Sequence, residues 1–249
     1  MNRRKPFGAE VMGILNAIRA SYGALHVLYR LSGVINLFCR RFDREKNRTA
    51  RLAAEIPEGL LNGQNLPPLG GLPYGAWRMG CNGCEVIAAY NALQKLGCPA
   101  AFSDVADTLE RKGLLFNGFG GTNLGALVRL FRSRDIPLHI LRRRDRTCYD
   151  AALSGAECAV LSYWTGETLR RSDGSWNTLH TVFVHRCGSG IEVCNVSMNR
   201  VEPVRDDSLE AFLCRQNAVP VCLLALGKPV DKSTGAGYNF HVERKDGHQ

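Results

Sequence analysis

The order of apolar and polar positions divides the chain into a helix-rich first part and a strand-rich second part. Apolar residues recur at helical spacing between residues 11 and 35, and the same spacing returns after Cys84, Ser103 and Thr122. Further on, short runs rich in β-branched and aromatic residues replace this pattern, at 138–141, 158–163, 179–186, 191–196 and 219–226. We therefore predict an α+β fold in which a helical layer packs on an antiparallel sheet.

Two of the predicted strands form a hairpin. The runs at 179–186 and 191–196 are joined by Cys187-Gly188-Ser189-Gly190, a sequence suited to a tight turn. His180 lies near the start of the first strand and Asn195 lies near the end of the second. Because antiparallel pairing sets these two ends side by side, we expect His180 and Asn195 to be close together.

Proline, glycine and charge mark the domain boundaries. Residues 1–56 are predicted to form a basic helical N-terminal arm, and residues 57–73 a Pro/Gly-rich linker that cannot hold a long regular structure. The main domain is predicted to span residues 74–230, because the helices from Cys84 onward and the predicted strands lie there. Residues 231–249 are expected to be a polar tail.

Positive charge is concentrated in the N-terminal arm. The net charge is +9, and residues 1–51 hold eleven Lys or Arg against three acidic residues. An anionic partner such as nucleic acid or an anionic membrane would therefore bind the arm. A solvated helical arm is the favoured interpretation, because no zinc-finger spacing, aromatic RNA-binding motif or helix-turn-helix pattern accompanies the charge.

Cysteine usage and hydropathy indicate the compartment. The 10 cysteines are scattered along 249 residues, and no uninterrupted apolar run follows Arg3 and Arg4 as a signal peptide would require. Arg19 and Arg30 break the apolar N-terminal stretch well short of the ~20 residues that a membrane span needs. We therefore expect a cytoplasmic protein with reduced thiols and no transmembrane segment.

Cys84 is the candidate nucleophile. A cysteine at the start of a helix lies near backbone N–H groups and the positive end of the helix dipole, which favour thiolate over thiol. His180 is the candidate base, and the Asn195 amide oxygen is expected to accept its Nδ1–H and leave Nε2 for the thiol proton. The ordinary alternatives are a buried core cysteine, a hydrogen-bonded sheet histidine and a turn asparagine.

Cys81 and Cys84 also form a C-x-x-C pair at a helix start, which in a cytosolic protein is compatible with a dithiol redox site. A thioredoxin-like fold would require a βαβ unit before it, and the Pro/Gly-rich stretch offers none. A zinc site is disfavoured because no second C-x-x-C or close His pair follows. We therefore predict no metal and no cofactor.

Three segments carry a resemblance to a known family: NGCEVIAAYNALQKLG at 82–97, GGTNLGALVRLFRSRDIPLHIL at 120–141 and LHTVFVHRCGSGIEVCNV at 179–196. In order and spacing, the chain from about residue 74 to 226 resembles papain-like cysteine peptidases of the bacteriocin-processing type, found in double-glycine leader peptidases. The resemblance implies a papain-like fold, cleavage of a peptide or protein substrate without metal, and a catalytic triad of Cys84, His180 and Asn195.

The chain departs from the family pattern near the nucleophile. The family usually has a Gln five or six residues before its cysteine, and here Arg78 and Met79 occupy those positions. Asn82 is the candidate replacement as oxyanion donor. Glu85 follows the cysteine in place of a Gly, and Asn195 replaces an Asp. Two further interpretations therefore stay open: a non-catalytic papain-like module that binds peptides or proteins, and a dithiol redox protein.

Overall fold

The structure is a computed structural model and describes residues 42–118, 121–166 and 178–229. Most of the expected N-terminal arm (1–41) and the expected tail at 231–249 lie outside the described residues. Seven α-helices lie within the described ranges: α1 (Arg44–Leu52), α2 (Met79–Asn82), α3 (Cys84–Lys95), α4 (Phe102–Gly113), α5 (Leu124–Arg132), α6 (Tyr149–Ser154) and α7 (Leu209–Arg215).

The strands form one large and one small sheet. The small sheet pairs β1 (Pro73–Tyr74) with β2 (Trp77–Arg78). The six-stranded sheet has the order β3-β8-β4-β5-β6-β7, and all its pairings are antiparallel. Its strands are β3 (Leu138–Arg142), β4 (Cys158–Trp164), β5 (Leu179–Cys187), β6 (Gly190–Cys194), β7 (Val204–Asp206) and β8 (Val219–Leu226). The expectation of helices with an antiparallel sheet is confirmed.

Each face of the large sheet buries its own hydrophobic cluster. On β5, Phe183 packs into the cluster formed with α3, α4 and α5, whereas Val182 and Val184 pack into the cluster with α6 and α7. Side chains alternate between the faces along the strand, as the pleat requires. The sheet is therefore covered by helices on both faces, with the longer helices α3 and α4 on one side.

The predicted hairpin is present. β5 pairs with β6 from Phe183–Cys194 to Cys187–Gly190, and Gly188 in the turn has φ 61°. The sequence pattern did not predict α6, α7 or the three-residue strand β7, so the expected order of helices first and strands afterwards is wrong. These elements are short, and so few residues give little periodicity.

α3 is the central helix of the domain. Every residue from Cys84 to Leu93 is buried, so the helix is enclosed by protein on all sides rather than lying on the surface with one apolar stripe. Gly97, with φ 70°, follows the end of the helix. Cys84 therefore begins a rigid helix whose position is set by packing along its whole length.

The segment before α2 packs against the domain and does not form a free spacer. Within 57–73, the expected linker, Leu61, Gln64, Leu69 and Leu72 are buried. The described part of the expected arm is also attached, because Arg51 of α1 pairs with Glu110 of α4 in the interior. Proline and glycine prevented a long helix or strand here, but they did not prevent burial of the side chains between them.

Candidate functional site

Cys84 is the first residue of α3 and is 5% exposed. Gly83 precedes it, and a Cβ at this position would collide with the side chain and carbonyl of Met79, so the tight turn from α2 into α3 requires glycine. Gly83 supplies no side-chain cap to the helix. The cysteine thus starts the helix as the sequence predicts, with its sulfur at the end where backbone N–H groups lack intrahelical acceptors.

Glu85 places a buried carboxylate beside the thiol of Cys84. The Cys84 Sγ donates to Glu85 Oε2 at 3.1 Å, and the Glu85 side chain is fully buried. In the sequence, this residue was only a departure from the family pattern. The structure shows that it places a carboxylate against the candidate nucleophile. A carboxylate acceptor stabilises the protonated thiol.

His180 and Asn195 are brought together, but through different atoms from those expected. His180 Nε2 lies 2.6 Å from the backbone carbonyl oxygen of Asn195. A carbonyl oxygen only accepts, so Nε2 carries a proton, and when the imidazole is neutral its lone pair lies on Nδ1. We expected Nδ1–H to donate to the side-chain amide of Asn195. This prediction is wrong for both atoms, because Nε2 contacts the backbone carbonyl instead. Nδ1 is the nitrogen able to take a proton.

The Asn195 side chain is held elsewhere. Asn195 has φ 64°, and its amide forms two hydrogen bonds with Gln64: Oδ1 accepts from the Gln64 backbone N–H at 3.0 Å, and Nδ2 donates to Gln64 Oε1 at 3.2 Å. The Asn195 backbone N–H donates to Asn62 Oδ1 at 2.7 Å. Asn62 and Gln64 were not identified from the sequence, because they lie in a stretch that resembles a linker.

Tyr163 packs against His180, and its pKa responds to the charge of Cys84. It is paired with His180 across β4 and β5, and the two rings meet edge to face with centroids 5.9 Å apart. Burial raises the pKa of Tyr163, and a negative charge on Cys84 raises it further. β4 changes register against β8 between Ser162 and Tyr163, an irregularity of the kind that re-aims a side chain. No sequence motif pointed to this tyrosine.

Asn82, the expected oxyanion donor, is engaged with the loop at the end of the short helix that follows α4. Its Nδ2 donates to the Gly118 carbonyl at 2.6 Å, and the residue is 9% exposed. One of the two N–H groups of the Asn82 amide thus donates to the Gly118 carbonyl. From the Asn82 side chain, the second N–H is the one that could donate to an oxyanion. Gln64 does not substitute for the family glutamine, because its Nε2 donates to the Gly80 carbonyl at 3.0 Å.

The other buried cysteines are poor nucleophiles. Burial raises the pKa of Cys158, Cys194 and Cys222 to about 12, so these thiols stay protonated near neutrality. Cys81, the other member of the C-x-x-C pair, is exposed. None of the nine cysteines within the described ranges takes part in a disulfide.

The described residues also bear on contacts with metal ions and with membranes. Among them, no group of three or more His, Cys, Asp or Glu side chains is placed to hold a metal ion. None of the helices in 42–118, 121–166 and 178–229 combines the length and apolar character required to cross a bilayer.

The chain was compared with known proteins. No protein-family model matches the sequence, and no curated protein matches it.

Proposed function

We propose that the chain is a cysteine peptidase-like hydrolase of papain-like fold, with Cys84 as nucleophile and His180 as base. The observation that carries the proposal is the 2.6 Å contact between His180 Nε2 and the Asn195 carbonyl oxygen. This contact leaves Nδ1 as the basic atom beside Tyr163, itself close enough to Cys84 to respond to its charge. The motif resemblance over residues 74–226 supports the same assignment.

The chemistry follows from these positions. His180 Nδ1 takes the Cys84 proton, and the sulfur attacks the carbonyl carbon of a peptide bond. The imidazolium then gives that proton to the leaving amine as the C–N bond breaks, and a thioester remains on Cys84. His180 next deprotonates a water that attacks the thioester, and the released thiolate recovers the proton. The reaction uses no group outside the chain except water.

The negative charge on the carbonyl oxygen would develop near the start of α3. Backbone N–H groups of a first helical turn and the helix dipole favour an anion there. The remaining N–H of Asn82 would be a second donor. These donors would stabilise the oxyanion less well than a set that includes the family glutamine. Removal of one oxyanion donor typically lowers the reaction rate by ~10²–10³. We therefore propose a slow hydrolase acting on a peptide or protein in the cytoplasm.

A non-catalytic peptide-binding module is the second candidate. The Asn82–Gly118 hydrogen bond favours it, because it takes up one donor that the oxyanion would need. A dithiol redox role has less support. All pairings of the large sheet are antiparallel, whereas a thioredoxin-like site requires a βαβ unit, and the Cys84 thiol is directed to Glu85 rather than to Cys81.

Selective alkylation tests the nucleophile. We expect iodoacetamide at pH ~6, below the ~8.5 of an ordinary thiol, to modify Cys84 before the other cysteines, as read by peptide mapping with mass spectrometry. His180→Ala should slow this reaction, and Cys81→Ala should leave it unchanged. His185→Ala is the matched control, because His185 lies five residues further along the same strand, toward the hairpin turn.

A peptide epoxide inhibitor separates the enzyme from the binding module. Stoichiometric labelling of Cys84 that is lost in His180→Ala would support the hydrolase, since a positioned base contributes ~10²–10⁴ in rate. A folded protein whose Cys84 stays unlabelled by both reagents, while exposed cysteines react, would refute the nucleophile and favour the binding module.

A further inference from the structure

Residues 61–65, within the expected linker, join the two halves of the candidate site. We propose that Gln64 in this segment is a positioning residue for His180, acting through Asn195. The assignment of His180 as base rests on the proposed function, whereas the coupling between Gln64 and the His180 ring does not. The hydrogen bonds of the segment show how the coupling arises.

The first step is the conformation of Asn195. Its φ of 64° lies in the left-handed region, which Asn tolerates better than most other non-glycine residues and which hydrogen bonds can hold in place. The two hydrogen bonds between the amide and Gln64, and the third from the Asn195 N–H to Asn62, supply that constraint. The carbonyl of the same residue holds His180 Nε2. Gln64 therefore determines where that carbonyl points.

The second step is the link to the cysteine. Gln64 Nε2 donates to the Gly80 carbonyl at 3.0 Å, and Gly80 lies in α2, four residues before Cys84. The segment approaches α2 so closely that a Cβ at position 80 would lie 2.6 Å from Asn65 Oδ1. Gln64, which is 1% exposed, thus contacts the histidine side and the cysteine side of the site with one side chain.

The third step is the anchoring of the segment at both ends. Leu61 exchanges two hydrogen bonds with the Asn91 side chain of α3: its N–H donates to Oδ1 at 2.7 Å, and its carbonyl accepts from Nδ2 at 2.9 Å. At the other end, the Asn65 N–H donates to the Met198 carbonyl at 2.8 Å. Because residues 61–65 are hydrogen-bonded to α3 at one end and to the loop after β6 at the other, a displacement of either element should displace the other.

Two variants of Gln64 separate the contacts. Gln64→Leu removes both side-chain contacts, to Asn195 and to Gly80. Gln64→Glu keeps the acceptor for Asn195 Nδ2 but loses the donor to Gly80. Asn65→Ala is the matched control, because it removes the exposed hydrogen bond to Asn199 and leaves the side-chain contacts of Gln64 to Asn195 and Gly80 in place. Thermal melting of each variant shows whether it is folded.

The decisive readout is the tautomer of His180 in the full chain, measured from imidazole ¹⁵N shifts by NMR and assigned by its loss in His180→Ala. We expect Nε2–H alone in the unsubstituted protein and in Asn65→Ala, and a mixture of tautomers in Gln64→Leu. Cys84 alkylation at pH ~6 should fall by ~10-fold or more in Gln64→Leu, because a misplacement of about 1 Å can cost ~10² in rate.

A folded Gln64→Leu protein with an unchanged His180 tautomer would overturn the proposal, whatever its alkylation rate. If Gln64→Leu does not fold, Gln64→Ala takes its place, because it also removes both side-chain contacts, and an unchanged tautomer in that folded variant would overturn the proposal equally. If His180→Ala leaves Cys84 alkylation unaffected, the proposed function fails while the tautomer measurement still decides the role of Gln64. The two failures are therefore distinguishable.

Discussion

The acceptor that holds His180 is neutral, and this affects the charge balance of the site. A backbone carbonyl orients the imidazole as an Asp would, but it does not stabilise the imidazolium with a full negative charge. The Glu85 carboxylate contacts the sulfur, since its Oε2 accepts from Cys84 Sγ at 3.1 Å. The carboxylate therefore opposes the helix N-terminus, which favours the thiolate of the same cysteine.

Glu85→Gln should therefore make Cys84 more reactive at low pH. The substitution removes the negative charge that opposes a thiolate and keeps nearly the same volume in a fully buried position. A hydrogen bond to a charged group is worth ~1.5–3 kcal/mol, so we expect alkylation at pH ~6 to accelerate by ~10-fold. The rate should be measured against pH, with melting recorded in parallel.

Faster alkylation of Cys84 in Glu85→Gln would distinguish an electrostatic role of the carboxylate from a purely structural one. Loss of packing would loosen every buried thiol, so Cys158 on β4 should be followed as the internal control, since burial raises its pKa to about 12. Acceleration at Cys84 alone supports the charge argument. Slower alkylation of Cys84 in a folded Glu85→Gln protein would show that the carboxylate assists the thiolate and would contradict the prediction.

Sequence patterns predicted the features of the candidate site that depend on residue type and local register. Cys84 lies at a helix start, and His180 contacts Asn195, because helix periodicity and hairpin pairing are local properties. Gln64 and Tyr163 were missed, since each acts through a contact with a distant part of the chain. The choice of Nε2 over Nδ1 was also unpredictable, because it depends on backbone geometry at one left-handed residue.

α1 is joined to α4 by a buried ion pair. Arg51 Nη2 lies 2.9 Å from Glu110 Oε2, and the side chains of both residues are fully buried. Glu110 also accepts from Asn47 Nδ2 at 2.8 Å and from the Gly75 N–H at 2.6 Å. The carboxylate is thus the centre of a polar cluster that fixes α1 against α4 and the turn after β1.

Arg51→Met should destabilise the fold. It leaves Glu110 buried without its counter-charge, and removal of one partner of such a pair typically costs ~3–5 kcal/mol. Because the Asn47 and Gly75 donors remain, we expect a loss of ~3 kcal/mol in the free energy of unfolding, measured by urea denaturation.

Arg48→Ala is the matched control, since Arg48 is exposed on the same helix. This substitution should change the free energy of unfolding by no more than ~0.5 kcal/mol. Adding Glu110→Leu to Arg51→Met should recover part of the stability, because the orphaned charge is then removed. Equal stability of Arg51→Met and Arg48→Ala would show that the pair contributes nothing measurable.

The large sheet explains why the class of fold was predictable and its details were not. The strands β3, β4, β5, β6 and β8 correspond to apolar runs, so their existence followed from composition and length. Their order in the sheet, with β8 between β3 and β4, depends on contacts between residues 138–142, 158–164 and 219–226. Coverage of both faces likewise depends on the short helices α6 and α7, which carry too few residues to show a period.

The domain boundary is the feature for which composition and packing disagree most. Composition favours a domain beginning at residue 74, which would fold without residues 1–56. The structure, however, buries Arg51 against Glu110 and places Leu61 and Gln64 in the interior. A chain lacking residues 1–56 would retain Gln64 but would expose the surface of α4 that α1 covers and leave Glu110 without Arg51 and Asn47.

We therefore expect removal of residues 1–56 to lower the melting temperature at least as far as Arg51→Met does, as measured by circular dichroism. The truncated chain loses the counter-charge and a donor together, so the penalty of an uncompensated buried carboxylate is larger. Glu110→Leu in the truncated chain should raise its melting temperature, because the charge that has lost Arg51 and Asn47 is replaced by an apolar side chain.

If the truncated chain melts cooperatively at the temperature of the full chain, α1 does not contribute to the core and the boundary expected from composition is the better description. If truncation is destabilising but Glu110→Leu brings no recovery, the stability comes from the apolar contacts of α1 and not from its ion pair.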